Sequence, residues 1–505
     1  MATRPSGDPL GRVARGGAVN IAGAGASAVA TFALTLALAR ALDPVDAGAF
    51  FATTSLFLLL SSVGQLGTAT GLVYFIAGRH AVPDAPPPDT YLRIAARPVL
   101  VVATVSAVVL ALGAGTLATW MGAEDAAAFR AALWVLALSL PIAAVLNLYT
   151  SASRGLGTMR PTVVFDQLLR PVLQVVLVLV ALPTGNLALV VLGWSLPYLP
   201  AAIGSWTWWR RRRGGDPAVP SDQRSRAART FWTFSVPRAF AGVAQLAMQR
   251  FDIVLVGALA GLEQAAIYTA ATRFLVLGQL AGTAVGRSAQ PWLADALRRG
   301  DLVSARRMYA LATGWLVLLA WPFYFLLGLF AGVVLGIFGS GYDEGATVLA
   351  ILCCAMLIAT GCGMVDVVLT MAGKTSWNLY NVLVAFAVNL GLDLLLIPHL
   401  GILGAAIGWA AAIACNNLVP LVQVRVAVGV HPFGRSTLLS MVVTTACFLV
   451  VPVVVRAGPL SGWTALVVAG AAGTVGYVVA CSLLAPRLAL TSLWVSLRSR
   501  ASASA

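Results

Sequence analysis

The chain has 505 residues, of which 59% are hydrophobic and 10% are charged, and its formal net charge is +15. Soluble domains average about 25% charged residues, so this composition excludes a soluble enzyme, a disordered protein and a secreted disulfide scaffold. An all-α, polytopic membrane protein remains. The positive charge does not indicate nucleic-acid binding, because the arginines fall in short loops between apolar segments.

Fourteen segments are long and apolar enough to be transmembrane helices. A helix needs about 20 mostly apolar residues to cross a bilayer. The predicted spans, in chain order, are 17–41, 47–77, 95–119, 128–150, 161–182, 186–209, 230–260, 264–286, 309–337, 345–371, 377–397, 401–424, 437–456 and 462–485.

The charged loops indicate the orientation of these spans. Arginines concentrate in alternate loops, whereas the opposite loops carry acids such as Asp43, Glu124 and Glu263. The positive-inside rule therefore predicts a multi-pass protein of the cell membrane with both termini in the cytoplasm. We interpret the first span as a retained helix, not a signal peptide, because no clear small-residue cleavage site accompanies it.

The two halves of the chain resemble each other. Segment 42–57 resembles 260–275, and 190–197 resembles 405–412, at offsets of 215 to 218 residues. Six predicted helices separate the copies, so both have the same orientation, and we expect two six-helix bundles in a parallel repeat plus two C-terminal helices. The predicted organisation is an N-terminal lobe (1–209), a cytoplasmic linker (210–229), a C-terminal lobe (230–429) and a final helix pair with a cytoplasmic tail (430–505).

Three motifs carry a family resemblance. They are RALDPVDAGAF (40–50), FGSGYDEGATVLAIL (338–352) and the stretch 369–410. The chain resembles the Wzx-like polysaccharide flippase branch of the multidrug/oligosaccharidyl-lipid/polysaccharide exporter superfamily. This resemblance implies two lobes around a central cavity, alternating access, and a polyprenyl-diphosphate-linked glycan as cargo moved to the outer leaflet. Asp43 stands where the turn of this family usually has glycine.

The seventh predicted span carries the candidate substrate site. At about 100° per residue, four polar residues fall within roughly 60° of one another on the helix. They follow about 21 Å of its length, and a lipid-facing helix would not carry such a stripe. The four residues are Arg238, Gln245, Gln249 and Asp252.

Arg250 and Arg273 are further candidates for substrate binding. Counted from the turn between the seventh and eighth spans, both lie roughly 15–17 Å deep on neighbouring antiparallel helices. Arginine suits a diphosphate because its guanidinium donates two parallel hydrogen bonds. The alternative is a structural network of both arginines with Asp252. The first-lobe equivalents are uncharged, which favours substrate binding: Asn20, Phe32, Leu34 and Ser55.

Polar residues in the tenth and eleventh spans suggest a coupling cation. Asn389 and Asp393 share one helix sector, and Asp366 lies near the cytoplasmic end of the preceding span. These residues are candidates for a Na⁺ or H⁺ site. The alternative is helix capping or helix–helix hydrogen bonding, because Asp366 and Asp393 lie toward opposite membrane faces.

A polar group also lies in the fifth span. Asp166 and Arg170 are four residues apart, which predicts an intrahelical ion pair. Gln174, one turn further on, is expected to reach the cavity.

The sequence indicates no cofactor and no metal. It has no nucleotide-binding GxxxxGK[ST] motif, and its six cysteines show no metal-ligand spacing. Short outer loops leave no room for catalytic residues, so we predict a flippase that is not an enzyme. Its expected partners are the lipid-linked glycan and membrane lipids, with glycan polymerases or glycosyltransferases as further candidates, and no nucleic acid. A cation-coupled multidrug extruder is the first alternative, and a membrane glycan polymerase or ligase is the second.

Overall fold

Helices make up the architecture. The computed structural model describes residues 9–78, 86–212 and 219–488, and this part of the chain contains no strand. The predicted all-α class is therefore confirmed. Residues 213–218 of the predicted linker, and the predicted tail beyond residue 488, lie outside the described residues.

Nine α-helices lie in the described part of the chain up to residue 259. A π-helix, Thr162–Leu169, precedes the sixth, and a short 3₁₀ turn, Leu182–Thr184, follows it. The helices are α1 Pro9–Ala41, α2 Pro44–Gly64, α3 Thr68–Gly78, α4 Pro88–Trp120, α5 Ala126–Gly155, α6 Arg170–Ala181, α7 Leu187–Ser195, α8 Tyr198–Arg212 and α9 Ser221–Leu259.

Ten α-helices follow in the described part of the chain. Short 3₁₀ turns occupy Gly336–Phe338 and Tyr342–Gly345, and a π-helix occupies Ala446–Val450. The helices are α10 Leu262–Arg298, α11 Leu302–Leu329, α12 Ala331–Leu335, α13 Ala346–Cys362, α14 Val365–Met371, α15 Thr375–Leu400, α16 Ile402–Ala427, α17 Arg435–Thr445, α18 Val451–Arg456 and α19 Gly462–Leu483.

The predicted number of membrane spans agrees with these helices. Among the described residues, 13 helical segments are long and apolar enough to cross a bilayer. The remaining predicted span, 264–286, falls on α10, a helix of 37 residues that is not among those 13. At about 1.5 Å per residue, α10 extends roughly 55 Å and is long enough to cross.

Asp43 in the first hairpin has a capping role in the structure. Asp43 is the N-cap of α2 and has extended backbone angles, with φ −65° and ψ 161°. Its carboxylate accepts a hydrogen bond from the backbone N–H of Asp46 at 2.9 Å. Aspartate is a favoured N-cap, and Pro44 fits the first helical position. This turn therefore needs a capping side chain and not a left-handed glycine.

Two predicted spans are interrupted at residues with positive φ angles. The second, 47–77, is broken between α2 and α3, where Leu66 and Gly67 have φ angles of 49° and 72°. The tenth, 345–371, is broken between α13 and α14 at Gly363, with a φ of 74°. Periodic hydropathy continues across both breaks, so it does not predict them.

Gly67 is required at the first break for two reasons. Its positive φ costs an L-residue roughly 1–2 kcal/mol, and a Cβ there would overlap the backbone carbonyl oxygen of Ser235 on α9. We expect Gly67→Ala to lower the melting temperature of the purified protein, with a stability loss of at least ~1–2 kcal/mol. Gly113→Ala in α4 is the control, because its Cβ would meet no atom within 4 Å. Equal melting of the two variants would contradict the packing described here.

Contacts between residues divide the chain into two compact units, Met1–Thr269 and Ala270–Ala505. The first unit includes α9, because Gly67 and Gly71 let α9 approach the start of α3 closely. The lobes that the sequence predicts, with a boundary at the linker 210–229, stay a prediction.

An aromatic core lies in the first unit beside its polar groups. The Phe57 ring makes edge contacts with Trp194 and Tyr198, each at a centroid distance of 5.4 Å. Phe57 is fully buried, and Tyr198 is 6% exposed. This core holds the Tyr198 ring in place inside the unit.

Candidate substrate and cation sites

The predicted polar stripe on α9 divides into an exposed part and a buried part. Arg238, Gln245 and Gln249 are exposed, whereas Asp252 is only 2% exposed. The Arg238 guanidinium donates a hydrogen bond to the backbone carbonyl of Phe234 at 2.8 Å and stacks on the Phe234 ring. The stripe therefore offers an exposed polar face that ends at a buried carboxylate, and its binding role stays a prediction.

Asp252 has a hydrogen-bond partner that the helix periodicity of α9 does not predict. The Tyr268 hydroxyl, on the first turns of α10, donates a hydrogen bond to Oδ2 of Asp252 at 2.5 Å. Tyr268 is fully buried. Asp252 and Tyr268 lie at similar distances from the turn at Ala260–Gly261, so the depth count applied to the arginines could have paired these two residues as well.

We expect Tyr268→Phe to destabilise the protein, because it removes a hydrogen-bond donor from a buried carboxylate. Hydrogen bonds to charged groups contribute about 1.5–3 kcal/mol, which predicts a clear fall in melting temperature. Tyr380→Phe is the matched control, since Tyr380 lies on α15 and is 67% exposed. If both variants melt at the wild-type temperature, the Tyr268–Asp252 bond does not stabilise the fold.

Arg170 belongs to a polar chain inside the first unit. Its Nε donates to Oδ1 of Asp166 at 3.0 Å, which agrees with the predicted i,i+4 ion pair. Its Nη1 donates to Oε1 of Gln174 at 3.2 Å. Gln174 then donates to the backbone carbonyl of Trp194 at 2.8 Å and is 5% exposed. Gln174 therefore ties α6 to α7 and does not reach an open cavity.

Two arginines interact with Tyr198. The Arg170 guanidinium carbon lies 5.0 Å from the centre of the Tyr198 ring. Arg250 is half-buried and interacts electrostatically with both Tyr198 and Asp252. The first unit thus gathers Arg170 and Arg250 near one tyrosine, with Asp166 and Asp252 as the nearby acids. The sequence predicts only the ion pair of Arg170, because α6 and α9 are far apart in the chain.

Arg273 lies on the part of α10 that belongs to the second unit, and its side chain is half-buried. The predicted common depth of Arg250 and Arg273 stays a prediction.

Asn389 and Asp393 form a buried pair on α15. Nδ2 of Asn389 donates to Oδ2 of Asp393 at 2.8 Å, and the two residues are 2% and 1% exposed. Gly408 on α16 packs directly against this carboxylate, and a Cβ there would overlap Oδ1 of Asp393. The glycine lets the two helices approach closely at the level of the charge.

Asp366 belongs to a different place in the second unit. It lines a cavity of about 360 Å³ between α10, α11 and the broken helix α13–α14. The other polar lining groups include Gln279, Thr283 and Gln290, whereas Asn389 and Asp393 do not line this cavity. Asp366 therefore does not join the buried pair in one site. Among the described residues, no group of three or more His, Cys, Asp and Glu side chains is arranged to hold a metal ion.

Solved structures of transporters resemble this chain. A lipid II flippase MurJ in an inward closed conformation superposes with a TM-score of 0.75 at 11% identity, covering 92% of this chain and 97% of the other. An inward-facing multidrug resistance MATE family transporter of the MOP superfamily has a TM-score of 0.62 at 15% identity, covering 80% and 94%. A MOP superfamily transporter from Pyrococcus furiosus has a TM-score of 0.58 at 16% identity, covering 85% and 99%.

These likenesses define the class: the chain is a multi-pass helical membrane protein with the fold of the MOP superfamily. The model of the family described as polysaccharide biosynthesis protein matches residues 13–297, more than half of the chain. The chain belongs to this family, which confirms the resemblance found in its motifs. A comparison with curated protein sequences gives no match.

Proposed function

We propose that this protein is a flippase that moves a lipid-linked oligosaccharide, or a similar cell-envelope polysaccharide precursor, from the inner to the outer leaflet. The family membership supports a role in polysaccharide biosynthesis. The MurJ-like fold supports flipping of a lipid-linked precursor by alternating access. The protein makes and breaks no covalent bond in this proposal, and its substrate is the lipid-linked glycan itself. We place it in the cell membrane with both termini in the cytoplasm.

The observation that carries the mechanism is the pair of arginines around Tyr198. A diphosphate crossing hydrocarbon without partners would be very costly, because an unpaired charge loses its hydration there. Arg250 is half-buried, and Arg170 is held in orientation by Asp166. We assign Arg250 to direct contact with the lipid diphosphate, with Arg170 reinforcing the positive potential. The further substrate-binding residues of this proposal are Arg238, Gln245, Gln249 and Arg273. Asp252 interacts electrostatically with Arg250 and stabilises its positive charge.

The membrane potential supplies a driving force for this direction. Moving about two negative charges outward across an inside-negative potential of about 100 mV releases roughly 4–5 kcal/mol. A coupling cation adds to this drive. We assign Asn389 and Asp393 to a cation site on α15, because a buried carboxylate and an amide oxygen are ligands suited to a hard cation.

The direct test is reconstitution in proteoliposomes. A polyprenyl-diphosphate oligosaccharide is placed in the leaflet that faces the cytoplasmic side of the protein. Transfer to the opposite leaflet is followed by the access of a glycan-cleaving enzyme added to one side. The expected result is protein-dependent transfer with no change in the bonds of the lipid. Transfer at the rate of protein-free vesicles would contradict the proposal.

A cation-coupled multidrug extruder is the second candidate, because MATE transporters share the fold. Expression in a drug-sensitive host distinguishes the two. Increased resistance to several unrelated drugs without lipid transfer in proteoliposomes would favour the extruder. Elongation of a lipid-linked repeat unit by the purified protein would instead support the alternative of a glycan polymerase or ligase.

A further inference from the structure

A second cavity, with an apolar lining, lies in the first unit between α4, α5 and α8. Its volume is about 360 Å³, within the range of about 300–1,000 Å³ that ligand sites occupy. The lining is almost entirely hydrocarbon, with one tyrosine and one tryptophan. The lining residues used below are Leu92, Ala96, Ile142, Tyr149, Ile203 and Trp206.

One wall of this cavity is a continuous apolar face of α8. Leu199, Ile203 and Trp206 are spaced by four and three residues, so they lie on one side of the helix. They are 42%, 50% and 38% exposed, which makes the cavity open on its α8 side. From Leu199 to Trp206 the face extends about 10 Å along the helix. A groove of this shape fits a hydrocarbon chain lying along the helix.

A cation continues this face at the end of α8. Arg210 follows Trp206 by four residues, and its guanidinium carbon lies 5.0 Å from the Trp206 ring. The guanidinium is thereby stacked on a side chain that itself lines the cavity. The apolar groove therefore ends beside an exposed positive charge.

The same end of the cavity has the composition of a membrane–water interface. Nε1 of Trp209 donates a hydrogen bond to Oδ1 of Asp89 at 2.7 Å. The Tyr149 and Trp209 rings lie 6.4 Å apart. Tyrosine and tryptophan concentrate at the level of lipid headgroups, and basic residues just beyond a span attract anionic lipids. A lipid with its chain in the groove would place its phosphate beside Arg210.

We propose that this groove binds an anionic phospholipid, with one acyl chain against Ala96, Ile142 and Ile203 and its phosphate on Arg210. The positive charges that end α8 favour an anionic headgroup over a zwitterionic one. The transported polyprenyl-diphosphate lipid fits this groove less well than a phospholipid does. Its diphosphate has to move to the other side of the membrane, whereas a phosphate bound to Arg210 stays at the end of α8. The proposed lipid therefore stays bound to the first unit and is not the transported substrate.

The test measures lipid binding to the purified full chain by native mass spectrometry in detergent. The probes are phosphatidylglycerol, phosphatidylcholine and a polyprenyl monophosphate. Arg210→Gln is expected to weaken phosphatidylglycerol binding about fivefold. Arg212→Gln is the matched control, since Arg212 stacks in the same way on Trp208, 4.9 Å from its ring, and Trp208 does not line the cavity.

A second variant tests the groove itself. Ala96→Phe fills the cavity and is expected to abolish tight phosphatidylglycerol binding without lowering the melting temperature. Equal binding of phosphatidylglycerol by both arginine variants, or its retention in Ala96→Phe, would overturn the proposal. Selective loss of polyprenyl monophosphate binding in Ala96→Phe would also overturn it, by giving the groove to the carrier lipid. None of these measurements depends on transport, so they stand apart from the proposed function.

Discussion

Arg250→Gln is expected to reduce flipping of the lipid-linked oligosaccharide by about tenfold or more. The physical reason is the loss of a charge-assisted hydrogen bond to the diphosphate, which contributes about 1.5–3 kcal/mol. Arg250→Lys is expected to retain part of the activity, because an ammonium supplies the charge without the planar pair of donors. The measurement is the rate of leaflet transfer in proteoliposomes that contain equal amounts of protein.

Two controls separate substrate contact from a purely structural role of Arg250. Arg299→Gln removes an exposed arginine that pairs with Asp295, and it is expected to leave transfer unchanged. Asp252→Asn combined with Arg250→Gln removes both charges of the buried network. If Arg250 is structural, the double variant should recover melting temperature and transfer together, since no uncompensated charge remains. If Arg250 contacts the diphosphate, transfer stays low in the double variant.

The arginine of the second unit provides a further comparison. Arg250→Ala together with Arg273→Ala is expected to abolish surface glycan in a host that depends on this protein. Normal surface glycan in that host would exclude the arginines from the substrate path.

Asp393→Asn is expected to abolish cation dependence of transfer and to lower its rate at least tenfold under a cation gradient. A buried carboxylate that binds a cation loses its charge in this variant but keeps its shape, so the ligand strength falls while the packing against Gly408 is preserved. The measurement compares transfer rates in proteoliposomes with an imposed Na⁺ gradient, a proton gradient or neither.

The chain offers a closely matched control for this site. Asn381 and Asn389 are both buried on α15, at 3% and 2% exposure. The Asn381 amide exchanges two hydrogen bonds with Gln423 on α16, at 2.7 and 2.9 Å, and so joins two helices. If Asn389 serves only the same structural purpose, Asn389→Ala and Asn381→Ala should affect stability and transfer alike. A cation role predicts that only Asn389→Ala changes the cation dependence.

Hydropathy determined the class of this protein and most of its spans. A residue inside a bilayer must satisfy its backbone hydrogen bonds locally, so an apolar run of sufficient length has to be a helix. Helix periodicity placed the ion pair Asp166–Arg170, because two residues four apart on one helix are neighbours wherever the helix lies. Sequence motifs further indicated the family that the comparisons establish.

The internal repeat did not predict where the helices break. At the repeat offset, Gly363 corresponds to Asn147, which lies inside the continuous helix α5. Gly67 corresponds to a position inside α10, which is also continuous. Each break depends on what packs beside it. Ser235 of α9 approaches Gly67, and Thr313 of α11 approaches Gly363.

The sequence by itself determined that this chain crosses a membrane many times and which family it belongs to. It also showed which charged side chains lie within the spans, where burying them in the bilayer costs free energy. Only the tertiary structure decided what lies beside those charges: Tyr268 beside Asp252, Tyr198 beside Arg170, and Gly408 beside Asp393. It also separated Asp366 from the α15 pair. The reason is that periodicity fixes the face of a helix on which a residue lies, whereas the neighbour of that face depends on helix packing between residues distant in the chain.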